Sequence, residues 1–128
     1  MGYSIDCFKS FKINENEVYG DYIFEQLEYE NGDYIYPSVL SKIHELFSSH
    51  GIEVDLVPFF GDGYFFDYLT KEQTEFIVSQ LKKPNECLRI VEDHNLLQLV
   101  EKELPECLFS FEHLIKRWET GFYVIKVF

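Results

Sequence analysis

A disulfide framework is missing from this chain. Its three cysteines, Cys7, Cys87 and Cys107, are odd in number, widely spaced and include no C-x-x-C pair, so reduced, structural thiols are expected. No apolar run approaches the ~18 residues that a bilayer span needs. The start, MGYSIDCF, has neither a basic flank nor a long hydrophobic stretch, so a cytoplasmic protein without membrane contact is expected. The opening Met1-Gly2 lacks the Ser or Thr at position six that myristoylation wants, because Asp6 stands there.

Metal and cofactor motifs are missing too. The four histidines, His44, His50, His94 and His113, are never four apart, so neither H-E-x-x-H nor a Cys/His zinc spacing exists. Gly61-Asp62-Gly63 has no P-loop Lys and a carboxylate of the wrong sign for phosphate, and is expected to be a turn. The acids from Glu15 to Asp33 are too widely spaced, with aromatics between them, for a 12-residue calcium loop. Asp93-His94 and Glu112-His113 are adjacent in sequence, and adjacent helical residues point about 100° apart, so neither is a dyad. No catalytic set, metal site or cofactor is expected.

The scarcest thing is positive charge in one half of the molecule. Between Lys12 and Lys71 there are twelve of the chain's 23 acids but one of its 11 bases, Lys42, which leaves 11 acids against 10 bases elsewhere. Nearly all of the net charge of −12 therefore lies in that window. Such a chain repels polyanions, which weighs against direct nucleic-acid binding or cleavage. Seven of the nine tyrosines share the window, and a Tyr-rich, Lys-poor surface has the composition of an interface. A solvated acidic face serving only solubility is the plainer alternative. The contact residues nominated on this basis are Asp21, Tyr22, Glu25, Glu28, Tyr29, Glu30, Asp33, Tyr34, Tyr36, Asp55, Asp62 and Asp67.

At 128 residues, with 46% hydrophobic and 18% aromatic content, the chain can bury a core as one domain spanning 1–128. Alternation over 3–12 predicts a first strand. Asn31-Gly32 between aromatic-rich runs predicts a hairpin turn, with a helix capped by Asp21 as the alternative over 21–29. Pro37, the apolar face of Val39, Ile43, Leu46 and Phe47, and Gly51 just beyond predict a helix over 38–50. Alternation predicts strands at 52–57 and 64–69. A Thr70/Gln73 capping box opens the next helix, with Phe76, Ile77 and Leu81 facing inward and Lys82 and Lys83 in its last turn. Residues 85–104 fit one helix or two pieces ended by Pro105. A helix follows Ser110, with Gly121 as its left-handed C-terminal residue, and FYVIKVF is a last strand. The sum is an α+β domain: an aromatic-rich, mostly antiparallel sheet packed with three or four helices.

In size, charge and class, though in no motif, the chain resembles bacterial immunity proteins of the contact-dependent inhibition, Rhs or colicin kind. That resemblance implies an antitoxin: a small inhibitor, monomeric or weakly dimeric, whose basic protein partner is a nuclease-type toxin domain. It lends no residues. Two other functions fit the same composition. One is a phage-type nucleic-acid mimic that blocks a DNA-binding complex. The other is a small enzyme with a His/Cys cleft.

Overall fold

The computed structural model describes residues 4–60 and 66–127. Its centre is set by two strands in which neighbouring residues are both apolar. In β1 (Ser4–Phe8) and β6 (Tyr123–Val127), the adjacent pairs Cys7 and Phe8, and Val124 and Ile125, are buried. Side chains alternate faces along a strand, so burial at consecutive positions means cover on both sides. The two strands pair antiparallel, Cys7 opposite Val124 and Phe8 opposite Tyr123. β4 (Glu30–Asn31) joins the other edge of β1 antiparallel, and β5 (Phe59–Phe60) runs parallel to β6, giving the order β4-β1-β6-β5. The second sheet is the hairpin of β2 (Ser10–Asn16) and β3 (Asp21–Leu27).

The helices are α1 (Pro37–Ser49), α2 (Lys71–Gln80), α3 (Pro84–Asp93), α4 (Leu96–Glu103) and α5 (Leu108–Glu119), with a 3-10 turn at Pro105–Cys107. Ile5, Cys7 and Val124 face a core built by Ile43 and Phe47 of α1, Val91 of α3, Val100 of α4, and Phe111, Leu114 and Trp118 of α5. Phe8 and Ile125 face a smaller, aromatic core closed by Phe24, Leu69 and Ile77, with Phe11, Tyr22 and Phe66 packed on it. There Phe8 stacks on Tyr123 at 5.4 Å and Phe11 on Phe24 at 5.0 Å, contacts worth ~1 kcal/mol each beyond burial. The α+β reading with an aromatic-rich, mostly antiparallel sheet therefore holds. None of the described helices is long and apolar enough to cross a membrane.

Several elements differ from the expectation. The first strand divides at Lys9, where a bend carries the chain from one sheet to the other. Residues 21–27 are strand, but the hairpin turn is at 17–20: the Asn16 side chain accepts from the Val18 and Tyr19 amides, and Gly20 takes φ 69°. Asn31-Gly32 makes no hairpin. Gly32 instead donates its amide to Ile5 O at 2.9 Å, and an added Cβ would stand 2.3 Å from Ile5 Cγ2. Residues 52–56 keep the alternating burial without a ladder, which is confined to Phe59–Phe60, and the alternation ends at Val57, which is buried like Leu56. Of the strand expected over 64–69, Leu69 forms a bridge with Tyr22, while Phe66 and Tyr68 take left-handed φ of 63° and 54°. The expected turn at Gly61-Asp62-Gly63 lies outside the described residues.

The helix termini follow the sequence closely. Both halves of the Thr70/Gln73 capping box form. Gly51 and Gly121, at φ 75° and 90°, each close a helix with paired bonds, Ile52 N to Phe47 O and Phe122 N to Arg117 O among them. Asn95, at φ 52°, splits 84–103 into two helices, making five α-helices among the described residues, and Asn is among the few residues that tolerate that conformation. Phe76, expected inward, is 45% exposed; Thr74 and Ile77 hold the buried stripe of α2, and Lys82 and Lys83 lie past its end.

Substitution of the two loop glycines should separate crowding from conformational freedom. Gly32→Ala is expected to lose about 2 kcal/mol through overpacking against Ile5, and Gly20→Ala, which has open space around it, about 1 kcal/mol from its backbone alone. Urea midpoints for the two variants would expose the assignment as wrong if Gly32→Ala were the milder.

Candidate protein-binding surface

The nominated residues fall in different places. Six of them, Glu28, Tyr29, Glu30, Asp33, Tyr34 and Tyr36, lie on one strip of chain, and all six are exposed. Two pins hold that strip against the body: the Gly32 amide bond to β1 and the buried side chain of Ile35. Two of its residues have left-handed backbone, Glu28 at φ 53° and Tyr34 at φ 67°. Neither is a glycine, so each carries roughly 1–2 kcal/mol of strain. Strain of this kind persists only where surrounding structure enforces it, and it concentrates at functional sites.

Tyr29 is fixed at the start of the strip. Its hydroxyl lies 3.2 Å from Asp6 Oδ1 and 2.6 Å from Asn31 Oδ1, while Gln26 donates to the other Asp6 oxygen at 3.1 Å. Partial burial, and then the charge and hydrogen bond of Asp6, push the Tyr29 phenol above its ordinary value. It is therefore a donor at neutral pH. Tyr34 is 55% exposed, and its ring meets Phe109 edge-on at 5.6 Å and His113 at 5.0 Å. Phe109, itself 57% exposed, packs on His113 at 4.5 Å. Three aromatic rings from two parts of the chain thus form one exposed cluster beside the acids of the strip.

Asp21 and Glu25 share the outer face of the β2–β3 hairpin, where Glu25 lies opposite Lys12 and accepts from Asn14 at 3.0 Å. Tyr22 is on the inner face, partly buried against the aromatic core. Asp67 is exposed in the bend beside Tyr68, near that hairpin. Asp55 lines a separate pocket of about 310 Å³ with His44 and Glu45. Asp62 lies outside the described residues. The acids are therefore divided among the strip, the hairpin and this pocket.

Charge from the C-terminal half enters the strip as well. Arg117 of α5 pairs with Glu30 and donates to Asn31 O at 2.8 Å. The same guanidinium covers the Phe122 ring from 5.3 Å, and Lys9 lies over that ring at 5.2 Å. Sequence reasoning missed Phe109, His113 and Arg117, which belong to a charge-balanced segment. The one available signal was the helical spacing that puts His113 and Arg117 on one stripe of α5.

The thiols are set by their burial. All three cysteines are free and buried. Burial pushes the Cys7 and Cys87 thiols up to about 12, so neither supplies thiolate at neutral pH. Among the described residues no group of three or more His, Cys, Asp or Glu is arranged to hold a metal ion.

Two outcomes follow. Cys7 and Cys87 ionise in the unfolded chain near the ordinary 9.0 but in the fold only near 12; their contribution is complete below the lower value and is lost as pH rises toward the upper one. Denaturant midpoints should therefore fall between pH 9 and 11, and Cys87→Ala should flatten that fall; equal slopes would contradict the burial argument. Glu28→Gly should raise stability by up to ~1 kcal/mol by releasing backbone strain, and a loss of stability instead would show that Glu28 is not strained. No protein-family model, curated protein or solved structure matches the chain, so a functional reading rests on these residues alone.

Proposed function

We propose that this chain is a small inhibitor that binds a basic protein, in the manner of an immunity protein that neutralises a nuclease-type toxin by covering its active site or substrate groove. The observation that carries the reading is the strip from Glu28 to Tyr36. Three carboxylates and three tyrosines stand exposed along it, and two of the six hold strained backbone. Carboxylates steer a basic surface into encounter. Rigid aromatic anchors act after encounter, when water has left the contact. The Tyr34–Phe109–His113 cluster is suited to the centre, with Tyr36 and Glu28 toward the rim.

Affinity capture from the source cell, followed by assay of the captured protein with and without this chain, tests the reading. A basic enzyme inhibited at one-to-one stoichiometry is the expected result; an acidic partner, or an enzyme whose turnover does not change, would sink it. With such a partner, association should slow between low and physiological salt while dissociation changes little. Tyr34→Ala and Phe109→Ala should each weaken binding by about 2 kcal/mol, roughly thirtyfold and mostly through faster dissociation. If both variants bound like the parent, the centre of the contact would lie elsewhere.

A further inference from the structure

A basin of about 470 Å³ opens beside the aromatic cluster, between the bend at Lys9, the strip and one stripe of α5. His113, Lys116, Arg117 and Thr120 border it at i, i+3, i+4 and i+7, and Lys9 reaches it from the opposite wall. The facing acids are Glu30 and Asp33, and Glu30 is already paired with Arg117. Among the described residues, neither Lys9 nor Lys116 has a carboxylate within ion-pair distance. The unpaired charges in the basin are therefore two ammonium groups against Asp33, on a chain whose net charge is −12.

A uniformly basic partner would be attracted to the strip and repelled here, a few side chains away. We infer that this basin seats a carboxylate side chain of the basic protein partner, held between Lys9 and Lys116, while the partner's flanking bases meet Glu28, Glu30 and Asp33. The inference rests on the reading that the chain binds a basic protein, and it adds orientation. A lone acid set among bases fits the surface in one register, and a partner without it meets like charge.

The test uses two peptides, acetyl-Lys-Lys-Glu-Lys-Lys-amide and its glutamine counterpart, titrated into the full chain with amide shifts read by NMR. Steering alone favours the glutamine peptide, which carries more net positive charge. A seated carboxylate reverses that order: the glutamate peptide should bind roughly two- to fivefold more tightly, the range of an exposed ion pair, with shifts at Lys9 and from His113 to Phe122. In the Lys9→Glu/Lys116→Glu double variant, whose changes are on exposed side chains, the preference should invert. Equal or tighter binding of the glutamine peptide, with shifts along the strip, would overturn the inference and leave the basic-partner reading standing. Binding of neither peptide would overturn both. Inorganic phosphate that shifted the same residues as strongly would assign the basin to free anions and overturn the partner assignment.

Discussion

The fold depends on two adjacent strands that are buried on both faces. Because Cys7 and Val124 point into one core while Phe8 and Ile125 point into the other, the β1–β6 pair needs cover on each side. Four helices supply it on one face, and the hairpin with α2 supplies it on the other. The bend at Lys9 exists because the chain must leave the central sheet to form the cover of its second face. That same bend delivers the Lys9 ammonium to Phe122, so a demand of the core places a charged group on the surface.

The strip from Glu28 to Tyr36 is a by-product of the same geometry. Leaving β3 on one side of the central sheet, the chain must return to the edge of β1 and then start α1 on the helical side. It does so in few residues, with Glu30 and Asn31 pairing on β1, Gly32 in close approach and Ile35 buried. So short a crossing forces Glu28 and Tyr34 into left-handed backbone. What remains exposed is held by the pins at Gly32 and Ile35, and a pre-organised strip loses less entropy on binding than a free loop. The Tyr34 ring gains a further support from Phe109 and His113.

How legible this was depended on the range of the interaction. Local signals were read well: the Thr70 cap, the Pro37 start of α1, and the terminal glycines Gly51 and Gly121 each rest on a few consecutive residues. Gly32 misled because Asn-Gly satisfies a hairpin turn locally, whereas here the missing Cβ serves a contact with Ile5, 27 positions earlier. The hairpin turn came instead from Asn16, whose side chain does the closing. Tyr22 counted as an interface tyrosine by composition alone, and register placed it inward. The six residues of the strip fall together because they are near neighbours in the chain and all are exposed.

Charge counting along a sequence has a limit of its own. A window from Lys12 to Lys71 looks almost purely acidic, yet folding returns α5 to the strip and puts Arg117 against Glu30 and Lys116 beside the basin that Asp33 lines. Screening in water leaves interactions beyond about 10 Å weak at physiological salt. The local sign at a contact is therefore set by neighbours in space, while the net −12 sets the long-range field that governs encounter. The two can differ on one small protein. Where they do, a basic partner of the kind proposed would be drawn close by the net charge, and the local pattern of signs would decide which partner, in which orientation, could remain.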